Sequence, residues 1–234
     1  MEAIRVVPIQ GLDLSFEPRT SEWAARNRAA IDSHFENVRS RQPAIWNGRV
    51  LLLHRCAIAD GIFGGAYFET DFASFLYWRD AGFPDRSVWN CFAMGALRAR
   101  DGAYVLGRMA DHTANAGKIY FPSGTPDPND VGADGRVDLL GSVRRELLEE
   151  TGLNFTDAPA GAGWHAVRAG QRVALVLPLR AREDAETLRA RIRVHLVGAH
   201  AELADAVIVR GRPDLSAAMP DFVRAYLEAM FAQR

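Results

Sequence analysis

The ten residues Arg144–Leu153, RRELLEETGL, constrain this chain more than any other stretch. At about 100° per residue, Leu140, Val143, Leu147 and Thr151 fall on one helical stripe. Glu146, Glu149 and Glu150 fall on the neighbouring one, so the carboxylates border the face that must be buried. Glu146 stands i,i+3 from Glu149 and i,i+4 from Glu150. Like-charge pairs at these spacings cost about 0.2–0.5 kcal/mol each on an exposed helix, and more where water is restricted. A hard divalent cation offsets that repulsion, because Mg²⁺ takes oxygen ligands, keeps several waters and is commonly shared between carboxylates and substrate phosphates. Arg145, one turn before Glu149, is placed to hold and orient that carboxylate. Gly152 fits a left-handed C-cap. The plain alternative is a solvated acidic helix face that stops at a glycine.

At 234 residues and 48% hydrophobic content, the chain can bury one core, or one core with a small appended subdomain. Its formal net charge of -1 is made of interspersed charges. No global field argues for a nucleic acid or an anionic membrane, and an anionic ligand has to be held locally. MEAIRVVPIQ has no basic segment leading into a long apolar run, and no later stretch approaches the roughly 18 apolar residues of a membrane span. Cys56 and Cys91 form no CxxC pair, which favours a reducing compartment. The expectation is a soluble, cytoplasmic protein.

Strands are expected at IRVVPI, GRVLLLHR and AYFETD, the last two pairing across IADGIFGG. PRTSEWAARNRAAIDSHFENV reads as one helix N-capped by Thr20 or Ser21. SVWNCFAMGALRA and AYVLGRM form a hairpin across RDG, and KIYFP is a short strand stopped by Pro122. Beyond the acidic helix, WHAVRA and RVALVLPLRA flank an Ala-Gly-Gln turn. A helix follows at EDAETLRARIRV, then a strand at DAVIVR and a helix at MPDFVRAYLEAMFAQ. Strands interspersed with helices give an α/β or α+β sandwich. A soft boundary near Asp85 divides the chain into 1–85 and 86–234.

RELLEETGL resembles the second half of the Nudix box, Gly-x5-Glu-x7-Arg-Glu-U-x-Glu-Glu-x-Gly-U with U aliphatic. Arg145, Glu146, Leu147, Glu149, Glu150, Gly152 and Leu153 occupy every specified place of that half. Upstream, YFPSGTPD resembles the strand, proline and double glycine that open the box, with Ser123 in place of the first glycine. The 21-residue step from Gly124 to Arg145 is longer than the pattern, so DPNDVGADGR carries a loop insertion. An alignment from Gly132 through Asp138 is the alternative. The first acid of the box falls on Val137, with Asp138 the nearest carboxylate.

The resemblance covers roughly Asn90 to Arg234 and implies a Nudix α/β/α sandwich with a mixed sheet. It further implies a hydrolase that cleaves the pyrophosphate of a nucleoside diphosphate linked to another moiety, using Mg²⁺ or Mn²⁺. By that resemblance Glu146, Glu149 and Glu150 face the metal and Arg145 orients them. Glu202, in GAHAELADAVIVR, occupies the place of a late-loop base or metal ligand; otherwise it is a solvated acid. Arg108, Lys118, Ser123 and Gly124 are the candidates for substrate phosphate, Arg108 and Lys118 being otherwise plain surface charges. His112 and His165 could serve as bases, and Asn90, Trp46 and Trp78 as ligand contacts, though surface or core roles account for all of them. Residues 1–85 are similar to the β-rich extension of eukaryotic UDP-sugar-hydrolysing relatives, which points to a nucleotide sugar such as UDP-glucose. Dimers are common among the resembling proteins. The displaced first half of the box keeps a second class open, a Nudix module that has lost hydrolysis and senses a nucleotide or binds a protein.

Overall fold

The computed structural model describes residues 4–43, 45–113, 115–197 and 201–233. In chain order the elements are β1 (Arg5–Ile9), β2 (Gly11–Phe16), α1 (Glu22–Arg26), α2 (Arg28–Arg39), β3 (Arg49–Ala59), β4 (Ile62–Asp71), α3 (Phe72–Asp80), β5 (Asn90–Arg98) and β6 (Tyr104–Met109). They continue with β7 (Ile119–Tyr120), β8 (Ser123–Gly124), α4 (Leu139–Thr151), β9 (Trp164–Ala169), β10 (Arg172–Arg180), α5 (Ala185–His195), β11 (Leu203–Val209) and α6 (Asp221–Ala232). The class is α/β. Two compact units divide the chain: the first holds Met1–Gly11, Phe92–Gly124 and Leu139–Arg234, the second Leu12–Cys91 and Thr125–Asp138. No helix among the described residues is long and apolar enough to cross a membrane.

The first unit is built on an eight-stranded sheet in the order β1-β9-β10-β5-β6-β11, with β8 on β5 and β7 on β6. Strand alternation explains its two covered faces. Phe92, Met94 and Ala96 of β5 join Tyr104 and Leu106 of β6 in one core cluster with Phe222, Val223, Tyr226 and Leu227 of α6. The intervening Gly95 faces α4: a Cβ there would lie 3.2 Å from Val143 and 2.7 Å from Leu179. The glycine therefore lets α4 lie close to the sheet.

Helix α4 buries Leu139, Ser142, Val143, Leu147, Glu150 and Thr151. Leu140, expected on the buried stripe, is exposed and Leu139 takes its place. On the helical wheel Glu150 lies near the middle of the arc from Ser142 to Thr151 rather than at its border. Gly152 closes the helix at φ 69°, the left-handed C-cap read from the sequence.

The second unit carries a three-stranded sheet, β2-β4-β3. Strands β3 and β4 form a hairpin whose two central residues, Asp60 (φ 51°) and Gly61 (φ 77°), give the left-handed pair that matches strand twist. Two corrections to the sequence reading arise here. The N-terminal helix is broken at Asn27, whose side-chain amide donates to Trp23 O at 2.8 Å and caps α1 before α2 begins; its N-cap is Ser21. ETDFASFLYWRDAG, read as part of a β-rich element, leaves the sheet at Asp71. The Asp71 carboxylate accepts from the Ser74 amide at 2.9 Å and starts α3. This helix is buried on two sides, Phe75 and Trp78 against Val50, Leu52 and Phe68 of the sheet, Ala73 and Leu76 against Ile31 and Phe35 of α2.

The insertion also belongs to this unit. Leu51 donates its amide to Pro126 O at 2.7 Å, Phe16 to Gly135 O at 2.8 Å, and Val137 returns one to Leu14 O at 3.1 Å. Arg136 reaches Asp13 at 2.9 Å. Residues 125–138 are thus stitched to β2 and β3 rather than left as a free loop.

His165 in β9 yields a test of the first unit's core. Its ring packs edge-on against Tyr226 at 5.5 Å, its Nδ1 is buried with no hydrogen-bond partner, and burial holds its pKa below the ordinary value. The folded state keeps the ring neutral while the unfolded chain takes up a proton near pH 6.5. The contribution is intact above that pH and is lost as pH falls below it. Urea titrations of wild type and His165→Phe between pH 7.5 and 5 should show wild type losing stability relative to the variant as pH drops; a constant difference would remove the assignment.

Candidate active site

The short β7–β8 run brings the site together. Ile119 and Phe121 lie in the α6 core, and the half-buried Tyr120 ring packs against the same cluster. After Pro122, Ser123 and Gly124 pair with Met94 and Ala93 of β5, which fixes two backbone positions under α4. The Ser123 amide donates to the Glu150 carboxylate. Gly124 lies directly beneath Glu146, where a Cβ would sit 2.1 Å from Glu146 Oε1 and 2.6 Å from its carboxyl carbon. A side chain there would require the Glu146 carboxylate to move.

Glu150 is buried at 6% exposure. Burial first, then the charges of Glu146 and Glu202, push its pKa well above the ordinary carboxylate range, against the pull of the Ser123 hydrogen bond; Glu149 adds the smallest push. Tyr120 reports the same field. Burial raises its hydroxyl pKa, Glu150, Glu202 and Glu146 raise it further, and a hydrogen bond from Asn115 at 3.2 Å opposes them. The phenol therefore stays protonated and can act as a donor beside the carboxylates.

The structure brings Glu146, Glu150, Ser123 and Gly124 together and sets Glu202 within range of their charge. Arg145 lies 3.7 Å from Glu146 Oε1 and 3.5 Å from Ser142 Oγ, so it faces Glu146. Glu149 is exposed, and its backbone carbonyl meets His195 Nε2 at 2.9 Å. That imidazole covers Gly152, where a Cβ would lie 2.8 Å from the ring. Lys118 is exposed just before β7. Arg108 pairs in register with Ile119, which puts it on the α6 side of the sheet. Val137 is buried in the second unit and Asp138 is exposed there, its amide donating to Asp130 O at 2.8 Å. Tyr120 and the Ser123 amide escaped the sequence reading.

Among the described residues, no three His, Cys, Asp or Glu side chains are already drawn into a ligand cage. The chemistry nonetheless suits a hard cation: every nearby donor is an oxygen, the local charge is negative, and the glycine cradle holds Glu146 next to the buried Glu150.

No protein-family model matches the sequence, and no curated protein matches it. Similar solved structures include the MutT protein of Methanosarcina mazei Go1, 19% identical, covering 62% of this chain and 94% of that one with a TM-score of 0.41. A Nudix hydrolase from M. smegmatis, RenU, is 14% identical over 60% of this chain and 81% of that one, TM-score 0.37. The C-terminal domain of mouse MUTYH, solved in complex with human PCNA, is 16% identical over 60% and 88%, TM-score 0.36. At these values the chemistry assigned to the site rests on its own residues.

Glu150→Gln tests the electrostatics without any substrate. A carboxyl whose folded pKa is raised contributes stability that is present below its unfolded pKa, near 4.5, and lost as pH rises toward the folded value. In metal-free buffer the variant should match or trail wild type at pH 4 and melt higher than wild type at pH 8. Equal melting temperatures at pH 8 would mean that Glu150 carries no stored repulsion.

Proposed function

We propose that the first unit is a Nudix-type pyrophosphohydrolase that cleaves a nucleoside diphosphate linked to another moiety, with a nucleotide sugar such as UDP-glucose as the leading substrate. One observation carries the reading: a carboxylate, Glu150, is buried beside Glu146 and within the field of Glu202, with Glu146 lying directly over Gly124 where a Cβ would displace it. Concentrating like charge in a poorly solvated place is costly unless a cation neutralises it.

Mg²⁺ or Mn²⁺ would be held by Glu146 and Glu150, with Glu149 available from the helix surface. Bound there, the ion would lower the pKa of a water and neutralise charge on the leaving phosphate. The chain's own residues do the rest. Arg145 fixes Glu146, Gly124 gives it room, and the Ser123 amide fixes Glu150. Glu202 is the candidate to take the proton of the attacking water, and the protonated Tyr120 hydroxyl can donate to a phosphate oxygen. Lys118 is the better placed of the two basic candidates for substrate phosphate, since Arg108 belongs to the other sheet face.

A second reading has its own observation. The place of the box's first acid is taken by the buried Val137, which favours a module that binds a nucleotide ligand without cleaving it.

The deciding experiment incubates the full chain with nucleotide sugars, dinucleotides and CoA esters plus Mg²⁺, and measures phosphate after a phosphatase step. The hydrolase reading expects turnover that chelation abolishes. Glu150→Gln and Glu202→Gln should lower kcat by about a hundredfold or more. Mg²⁺ at a hundredfold excess over Kd should stabilise wild type by about 2.7 kcal/mol, and Glu150→Gln should flatten that shift. Leu147→Ala, a core change with an expected cost of about 2–5 kcal/mol, should affect activity only through unfolding. Ligand-induced stabilisation with no metal-dependent product from any substrate would select the binding module.

A further inference from the structure

The loop between β6 and β7 reaches two parts of the carboxylate cluster. Its first residue, Ala110, donates its amide to Glu202 O at 2.8 Å, which anchors the backbone of the candidate base. Thr113 bonds back to Ala110 O through its amide at 3.1 Å and its hydroxyl at 2.9 Å. The Ala116 amide donates to Thr113 O at 3.3 Å and the Lys118 amide to Asn115 O at 3.0 Å. Gly117, at φ 71°, turns the chain back to β7 and donates to Met109 O at 3.1 Å, while Met109 donates to Lys118 O at 2.9 Å. A loop closed at so many points holds the main chain of Asn115 in place. From there its side chain reaches the far end of Tyr120, where Asn115 Nδ2 donates to the phenol oxygen at 3.2 Å.

That hydrogen bond has a direction. A phenol oxygen carries one proton and accepts through its lone pairs. Because the Asn115 amide donates to the oxygen, the phenol proton has to turn away from it. Among the described residues nothing accepts that proton. The ring itself is held, since it packs against the α6 core cluster that contains Ile119 and Phe121, so the remaining freedom is rotation about the C–O bond. The carboxylates that bear on this hydroxyl are Glu150, Glu202 and Glu146. A neutral amide on one side of the oxygen thus leaves an unspent O–H donor beside the cluster, and steers it without adding charge there. Such a donor suits an anionic oxygen brought in by a ligand, where a hydrogen bond is stronger than between neutral groups.

We propose that Asn115 is a positioning residue: its side-chain amide holds the Tyr120 hydroxyl so that the phenol proton is presented to a diphosphate oxygen of the ligand. The inference rests on the reading above for the ligand class, a diphosphate drawn to this cluster. Asn115 acts through Tyr120 alone, so the two residues form one unit whose effects do not add.

A double-mutant cycle on the full chain tests it, with calorimetry of methylenediphosphonate, a diphosphate mimic that resists hydrolysis, in the presence of Mg²⁺. Tyr120→Phe, which keeps the ring and removes the donor, should weaken binding about tenfold, and Asn115→Ala about fivefold. In the Tyr120→Phe background Asn115→Ala should cause no further loss, a coupling that a merely structural role of Asn115 would not produce. Melting curves check that each variant folds, and Asn115→Leu, of similar shape without the amide, repeats the cycle should Asn115→Ala fold poorly. Failure of wild type to bind the diphosphonate, an unchanged Kd in either single variant, or losses that add in the double variant would each overturn the proposal. Turnover of the substrate panel, measured in parallel, separates it from the hydrolase reading. Coupled binding with no turnover would keep the role of Asn115 and overturn hydrolysis, whereas turnover without the coupling would keep hydrolysis and overturn the role of Asn115.

Discussion

The Glu150 carboxylate accepts from the Ser123 backbone amide while the carboxylates of Glu146, Glu202 and Glu149 press on it, and the surrounding structure follows from that constraint. A charge with so little solvation is tolerated only where its neighbours are held rigidly enough that it cannot swing out to water. Helix α4 supplies the rigidity on one side, through Val143 and Leu147 packed on the sheet. Strand β8 supplies it on the other: two residues long, it is tied into β5 so that the Ser123 amide points at the carboxylate. A side chain at 124 would push Glu146 away, and a looser α4 would let Glu150 relax.

The same logic orders the sheet. Each strand that reaches the site changes its partner according to the parity of its residues, one face supplying the α6 core and the other the polar cluster. Arg108 follows this division and Tyr120 straddles it. The Tyr120 ring packs against the aromatic core that holds Ile119 and Tyr226, while its hydroxyl senses three carboxylates. Arg108, two residues on from a core leucine, is carried by the same alternation to the α6 side.

Much of this was legible in the residues. The span of α4 and its glycine stop show plainly as periodicity because that helix is amphipathic, while strands such as β5 and β10, buried on both faces, show as short apolar runs bounded by turn residues. Where an element is buried on both sides the periodicity vanishes, and α3, with aromatic residues all round, shows no helical stripe and passes as part of a β-rich extension. The break at Asn27 is a side-chain hydrogen bond that interrupts an otherwise continuous helical pattern, so no stripe reveals it. Glu150 illustrates a different limit. A polar residue on the buried arc looks like the edge of that arc until the partner strand is known, and the Ser123 amide that receives it comes from a segment 27 residues earlier in the chain. The insertion of 125–138 is plain as excess length, but its pairing with β3 joins residues 75 positions apart (Leu51 and Pro126) and its pairing with β2 residues more than a hundred apart.

That pairing has a kinetic meaning. The chain passes between the two units at four places, after residues 11, 91, 124 and 138, so neither unit is a contiguous stretch. During synthesis, residues 12–91 emerge first but lack the backbone partners that β2 and the start of β3 take from 126–137. The first unit must wait longer still, since β1 finds its neighbour β9 only after residue 164. A protein wired in this way gains little from being made N-terminus first. Its two units reach completion late, through long loop closures that slow folding, and the early strands spend that interval with edges open to mispairing.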